Sequence, residues 1–299
     1  HCRRRMGHRQ IRAGGFDYER TEIIDCYMAV GGVAYYLSLF ENNMSVAENI
    51  NELCFTKGGE LTDEFDKLFK SLFKKAENYI SIITALSIAG KGMTRNGIIH
   101  KTKLLNNGNL TTLLNELEQC EFIRSFVPFK KEKKDKLYQL IDQFSLFHLR
   151  FIKGQGVFAK DYWMKVIGTG AYNAWSGYAF ETVCLHHIDQ IVEGLGISGT
   201  INRPCSWAYR PTEETKNNPD IDDNLKKGGQ IDLLIDRNDR TITVCEMKYS
   251  DHEFEIDKEY DKHVQDRLLR FKDVEKTSKT LQVAYVTPFG LHNNVCSQS

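Results

Sequence analysis

Apolar residues recur at helical spacing through the first quarter of the chain. The run TEIIDCYMAV is followed by Gly31-Gly32 and then by VAYYLSLF, and Thr62–Lys75 places Phe65, Leu68, Phe69 and Leu72 on one helical face. A period of 3.6 residues predicts amphipathic helices, and paired glycines predict a break between two of them. Because this part has no clustered histidines and no acid pair, we expect residues 1–75 to be a helical packing module.

The next stretch, residues 76–141, has the pattern of three helices followed by a hairpin. AENYISIITALSIAGKG predicts a helix that ends at Gly90, Thr94 is placed to cap a second helix, and evenly spaced leucines from Leu110 to Leu117 mark a third. FIRSFVPF and LYQLI then flank the charged turn KKEKKDK. This order is typical of a winged helix-turn-helix.

Lysines at the tip of that hairpin are the candidate nucleic-acid contacts, namely Lys130, Lys131, Lys133 and Lys134. The third helix, which would be the recognition helix, has no Arg or Lys and carries Glu116 and Glu118, a poor surface for phosphates. Three interpretations stay open: the tip contacts DNA, the module packs against protein, or the lysines only solvate the turn.

Residues 142–170 are rich in aromatic residues and predict a helical connector with a break at Gly154–Gly156. His148 lies among Phe and Leu, so we expect a buried histidine of the core rather than a metal ligand.

Residues 171–299 alternate between helical and strand patterns in the order α-β-β-β-α-β, which indicates an α/β domain. A polar, Asn- and Asp-rich segment, Arg210–Lys227, interrupts it and predicts a mobile loop. LQVAYVT is apolar enough to predict a central strand. The predicted elements are a long helix at Asn173–Val192, strands at Thr200–Trp207, in QIDLLIDR, TITVCEMKYS and LQVAYVT, and an amphipathic helix at Asp257–Lys276 with Tyr260, Val264, Leu268 and Phe271 on its apolar face.

Composition narrows the class of protein. Lys plus Arg and Asp plus Glu both number 40 among 299 residues, which excludes a globally basic nucleic-acid coat. The eight cysteines are scattered without a C-x-x-C pair, as in reduced proteins of the cytoplasm. No apolar run suggests a membrane span, and HCRRRMGHRQ lacks the apolar segment of a signal peptide. Since position 1 is not Met, we expect a fragment of a longer cytoplasmic protein.

The candidate chemistry lies on the two strands of the third segment. Side chains alternate along a strand, so Glu246 and Lys248 should share one face, and a simple hairpin register would bring Asp232 beside Glu246. Two carboxylates can hold Mg²⁺ or Mn²⁺, and a lysine can orient a water or stabilise charge on a phosphate. Glu181 could add a third acid, and Gln230, on the same face as Asp232, could position the water or the lysine. An acid-x-Lys pair alone also occurs by chance.

Three motifs of this segment, GYAFETVCLHHIDQI, GGQIDLLIDR and VCEMKYS, resemble the PD-(D/E)XK nuclease-like C-terminal domain of a large group of prokaryotic AAA-type ATPases. EIIDCYMAVGGVAYYL and KGGELTDEFDKLFKSLF resemble the helical lid that follows the ATPase core in the same proteins. The resemblance implies a lid remnant at 1–75, a winged helix at 76–141, a connector at 142–170 and a restriction-endonuclease-like domain at 171–299.

By the family pattern Asp232, Glu246 and Lys248 are the motif residues, Glu181 is the helix acid, and Gln230 matches a Q-x-D form. The chain departs from the pattern at Ile231, where many relatives have Pro, and at Ala34. It also has no G-x-x-x-x-G-K-[ST] loop, so we expect ATP binding, and any homo-oligomer built on it, only through an ATPase half that is missing here.

Two functions follow as expectations. The first is a divalent-metal-dependent nuclease that hydrolyses DNA phosphodiester bonds, regulated by the ATPase of the whole protein. The second is a non-catalytic region that binds DNA or protein.

Overall fold

The computed structural model of the chain describes residues 18–154 and 160–294. Within them helices and two small β-sheets form a mixed α/β protein, as the sequence predicted at the level of fold class. The chain divides into two units. One comprises the residues up to Phe126 together with Lys136–Val183, and the other comprises Val127–Asp135 together with the residues from Cys184 onward. The four predicted segments do not coincide with these two units.

The first unit is largely helical. Its helices, in chain order, are α1 Arg20–Val30, α2 Ala34–Ser38, α3 Val46–Phe55, α4 Glu64–Leu72, α5 Ala76–Ala89, α6 Arg95–Thr102, α7 Gly108–Gln119, α8 Gln143–Phe147, a π-helix at His148–Ile152, α9 Tyr162–Val166 and α10 Gly170–His186, whose last turn lies in the second unit. The predicted glycine break is confirmed, because α1 ends before Gly31, which has φ 68°. Thr94 caps α6 as predicted, accepting a hydrogen bond of 3.1 Å from the Gly97 amide.

The connector is part of the core of this unit. All five residues of α8 are buried, and Phe144 packs against Tyr36 with ring centroids 5.0 Å apart. Trp163 of α9 stacks on Phe55 at 5.7 Å and an interplanar angle of 6°. His148 is 7% exposed and stacks on Phe65 at 4.4 Å, so the prediction of a buried histidine is confirmed. Gln155 and Gly156 of the predicted glycine break lie outside the described residues.

A three-stranded antiparallel sheet completes the first unit. Its strands are β1 Met93–Thr94, β2 Ile123–Phe126 and β3 Leu137–Leu140, in the spatial order β1-β3-β2. The predicted hairpin therefore exists, and its pairs run from Phe126 with Leu137 beside the turn to Ile123 with Leu140 at the far end. Strand β1 was not predicted, because two residues are too few to show a period.

The second unit contains a four-stranded sheet and a long helix that covers it. The elements of this unit are α11 Ile188–Gly194, a 3₁₀ turn at Ser198–Thr200, β4 Ile201–Tyr209, α12 Glu213–Asn217, β5 Gly229–Arg237, β6 Thr241–Met247, α13 Lys258–Glu275 and β7 Thr280–Val286. The strands lie in the order β4-β5-β6-β7, where β5 and β6 form an antiparallel hairpin and β7 runs parallel to β6. Helix α13 packs on one face of the sheet, where Val264 and Phe271 meet Trp207 and Leu234.

Two predictions about these elements were wrong. The long helix at 173–192 is broken at His187, where α10 ends and α11 begins. Strand β7 lies at the edge of the sheet, not at its centre. This edge strand is nevertheless rich in apolar residues, because Leu281 and Val283 pack against the core beneath α13.

The polar segment at 210–227 is anchored, contrary to the predicted mobile loop. Arg270 of α13 is 7% exposed and reaches into it. Its Nε donates to the Asn224 carbonyl at 2.7 Å, its Nη2 to Asn224 Oδ1 at 2.6 Å, and its Nη1 to the Gly228 carbonyl at 2.9 Å. The Tyr209 hydroxyl also donates to the Leu225 carbonyl at 3.1 Å. Sequence patterns of single segments cannot reveal such an anchor, because it comes from a helix more than 40 residues away.

No helix of the described parts of the chain is long and apolar enough to cross a membrane.

Candidate active site

The two predicted acids lie on neighbouring antiparallel strands. The register of β5 and β6 pairs Leu233 with Cys245 and Asp236 with Ile242. The observed pairs stop at Leu233 and Cys245, one position before Asp232 and Glu246. The prediction that the two acids lie on adjacent strands of one hairpin is confirmed. That their carboxylates share one site stays a prediction.

Strand β5 has a bulge at this point. On its other side Cys205 pairs with Leu234 and Trp207 with Ile231, so Ser206 faces both Asp232 and Leu233. A bulge redirects side chains locally, and bulges are common beside active sites. Here it lets Ile231 and Leu234 share the apolar core while Asp232 stands between them. No periodicity argument could have found it, since the bulge depends on pairing with β4.

Glu246 is a buried carboxylate near the end of β6. Its side chain is 6% exposed, and both oxygens have partners on α13. Arg267 Nη2 lies 2.6 Å from Oε1, and the Tyr260 hydroxyl donates to Oε2 at 3.2 Å. Burial, and next the Glu246 carboxylate, raise the pKa of the Tyr260 hydroxyl, so this tyrosine stays a donor at neutral pH.

Lys248 lies on the same side as Glu246. Its Nζ is 5.2 Å from the centroid of the Tyr260 ring, the same tyrosine that binds Glu246. Its backbone amide donates to the Val286 carbonyl at 2.9 Å, which continues the β6–β7 pairing past Met247. Glu246 and Lys248 both contact Tyr260 of α13, as expected for alternate positions that share one face of a strand.

Gln230 has a different partner from the one expected. It was predicted to position a water or the lysine, and in the structure its Nε2 donates to Asp232 Oδ1 at 2.8 Å. The two side chains are neighbours on one strand, and the hydrogen bond orients the carboxylate of Asp232.

Glu181 belongs to the first unit, because α10 is assigned to that unit as far as Val183. Asp232 and Glu246 both belong to the second. Within residues 18–154 and 160–294, no group of three or more His, Cys, Asp or Glu side chains could hold a metal ion.

The four tip lysines occupy a segment that belongs to the second unit. The Phe129 amide donates to the Ser206 carbonyl at 2.8 Å, and the Phe129 ring lies 5.4 Å from that of Phe271. Lys130 hydrogen-bonds the Glu275 carbonyl and lies 3.7 Å from Glu275 Oε2. Lys130 is therefore bound to the end of α13 and does not extend freely from a turn.

The other three lysines of this segment are exposed. Lys134 forms an ion pair of 3.1 Å with Glu132. Lys131 and Lys133 have no ion pair with the described residues. Of the four predicted lysines, these two are therefore the most available to bind a phosphate.

On the predicted recognition helix, both acids are half-buried and hydrogen-bonded. Glu118 Oε1 accepts from the Ser125 amide at 2.9 Å, and Glu116 accepts from the Tyr79 hydroxyl. Glu118 Oε2 also lies 4.0 Å from Lys136 Nζ, which compensates part of its negative charge. Asn109, Thr111, Thr112 and Asn115 are exposed.

Arg267 and Tyr260 are functional candidates that sequence reasoning missed. Tyr260 was read as part of the apolar stripe of α13, and Arg267 was not considered. They are seven residues apart, two helical turns, and therefore share a face. The seven-residue spacing of these two side chains, on the helix that follows the Glu246-x-Lys248 motif, is the sequence signal that could have identified them.

No protein-family model, curated protein or solved structure matches this chain.

Proposed function

We propose that the second unit is a divalent-cation-dependent nuclease domain that hydrolyses phosphodiester bonds of DNA. The observation that carries the proposal is that Asp232 and Glu246 lie on the adjacent antiparallel strands β5 and β6, and that Glu246 and Lys248 contact the same tyrosine, Tyr260. The restriction-endonuclease-like identity of the domain is part of the proposal and rests on the sequence resemblance. The order of elements in the second unit is α11-β4-α12-β5-β6-α13-β7, which differs from the expected order by the short helix α12 between β4 and β5.

The donor set fits a hard cation. Carboxylate oxygens are the ligands that Mg²⁺ and Mn²⁺ prefer, and Asp232 and Glu246 supply them from two rigid strands. Glu246 is buried and already has a charged partner in Arg267, so a cation would have to share or displace that contact. When bound, the cation would supply charge for the phosphate and a water of lowered pKa.

The protein's own residues then have distinct roles. Gln230 fixes the orientation of Asp232. The Lys248 ammonium, held over the Tyr260 ring, stabilises the charge that develops on the phosphate and orients the attacking water. Lys131 and Lys133 contact the DNA backbone. Glu181 as a third acid, and regulation or oligomerisation by an ATPase half, rest on the resemblance alone.

The test is cleavage of supercoiled plasmid by the purified full chain with Mg²⁺ or Mn²⁺. We expect nicking that EDTA abolishes and that Asp232→Asn and Glu246→Gln each abolish. The matched control is Lys262→Ala, an exposed cation of α13 outside the site. Nicking by Asp232→Asn at the rate of the unchanged protein would refute the proposal.

A second candidate function is a non-catalytic DNA- or protein-binding region. The ion pair between Arg267 and Glu246 favours it, because a guanidinium already neutralises the carboxylate that a cation would need. This candidate predicts plasmid retention in a gel-shift assay without cleavage under any metal, and equal retention by Asp232→Asn.

A further inference from the structure

We propose that Arg267 is a resident counter-ion of Glu246, and that the guanidinium and a divalent cation exclude each other at this carboxylate. The inference rests on the proposed function, because it concerns the same cation site. It assigns to Arg267 the regulation of cation affinity, a role beyond the acid–acid–lysine set.

The geometry leaves little room for both partners. Glu246 is 6% exposed at its side chain, Arg267 Nη2 lies 2.6 Å from Oε1, and Tyr260 holds Oε2. A ligand distance of about 2.0–2.6 Å to a cation requires that Arg267 give up this contact or share it at the expense of like-charge repulsion.

Arg267 also has a hydrogen-bond donor that is not used. Its Nε is buried and has no hydrogen-bond partner in the described part of the chain. The side chain itself is 26% exposed, much more open than Glu246. A guanidinium with an unused donor and access to solvent can turn outward without losing a second contact.

Arg270 shows by contrast what a structural arginine on this helix looks like. All three of its hydrogen bonds go to the 224–228 segment, and it is 7% exposed. Among the residues that the structure describes, the ion pair of Arg267 is with the proposed cation ligand. This contact holds the Glu246 carboxylate in one orientation when no cation is present.

The consequence is a measurable competition. Removing the guanidinium should tighten cation binding, because the cation then no longer displaces a charged competitor. Coupling between exclusive partners typically changes affinity about 5–150-fold. We therefore expect Arg267→Gln to bind Mn²⁺ at least about fivefold more tightly than the unchanged chain.

The experiment is a Mn²⁺ titration of the full chain, with free Mn²⁺ measured by electron paramagnetic resonance. Arg267→Gln is compared with Tyr260→Phe, which removes the neutral partner of the same carboxylate and should change affinity less. Lys262→Gln is the control for loss of a positive charge from α13. Arg267→Lys, which keeps the charge, should have an intermediate affinity and serves if Arg267→Gln is poorly folded without Mn²⁺.

The outcomes separate the two proposals. If Arg267→Gln binds Mn²⁺ no more tightly than the unchanged chain while Glu246→Gln loses binding, the counter-ion role is wrong and the cation site stands. If Glu246→Gln and Asp232→Asn both bind Mn²⁺ like the unchanged chain, the cation site itself is wrong, and the counter-ion role falls with it. Tighter binding by Arg267→Gln, lost again on adding Glu246→Gln, supports both.

Discussion

Arg270→Met should destabilise the second unit strongly, because it removes three hydrogen bonds and keeps the aliphatic part of the side chain. The guanidinium is 7% exposed, and all three of its acceptors lie in the 224–228 segment. Hydrogen bonds to charged groups contribute about 1.5–3 kcal/mol each, so even the low end gives a loss of about 4 kcal/mol.

The loss of these hydrogen bonds should also destabilise the strand that carries the proposed site. Gly228 leads directly into β5, and Asp232 lies four residues beyond it. Asn224 is held at both ends, since its Nδ2 donates to the Asp266 carbonyl at 2.8 Å while its Oδ1 accepts from Arg270. Without Arg270 the segment loses its main anchor, and we expect the start of β5 to exchange its amide hydrogens faster than β6.

The assay is urea unfolding of the full chain followed by circular dichroism, with hydrogen exchange of the 210–232 region. Lys262→Met is the matched control, an exposed cation on the same helix whose loss should change the free energy of unfolding by less than about 0.5 kcal/mol. A loss below about 1 kcal/mol for Arg270→Met, or unchanged exchange at 224–232, would show that the three hydrogen bonds do not anchor this segment.

Two further predictions concern the proposed site and the buried histidine. Lys248→Ala should lower Mg²⁺-dependent cleavage by about 10²–10³-fold with Mn²⁺ affinity nearly unchanged, whereas Asp232→Asn should weaken Mn²⁺ binding itself; equal Mn²⁺ affinities for the two variants would contradict these roles. Burial, more than nearby Lys153, lowers the pKa of His148 from 6.5 to about 4. The protein therefore has its full stability above pH 6.5, where His148 is neutral, and loses about 3 kcal/mol of unfolding free energy as the pH falls from 6.5 toward 4. His148→Phe should flatten the pH dependence of the unfolding free energy between pH 4 and 7, and an unchanged slope would rule out this source.

Local signals predicted a good part of the fold. The Gly31 break, the Thr94 cap, the β2–β3 hairpin and the β5–β6 hairpin all depend on turns or periods within about 20 residues, and all are present. That Asp232 and Glu246 lie on adjacent strands followed from the same hairpin geometry.

Features that depend on distant pairing could not be predicted in this way. The edge position of β7 is set by which strand it pairs with, and a largely apolar strand fits either an edge that supports a helix or a central place. The bulge at Asp232 depends on β4, and the partners of Glu246 depend on the rotation of α13 about its axis. Lys130 was predicted as a candidate nucleic-acid contact, and its contact with Glu275 could not be foreseen because the two residues are 145 positions apart.

The most direct test of the central claim is an anomalous-scattering map from crystals of the chain soaked in Mn²⁺. The account predicts one Mn²⁺ peak bound by oxygens of both Asp232 and Glu246, at about 2.0–2.6 Å, with the Arg267 guanidinium turned away from Glu246. A map with no peak between these two carboxylates at saturating Mn²⁺, and with Arg267 still paired to Glu246, would contradict it.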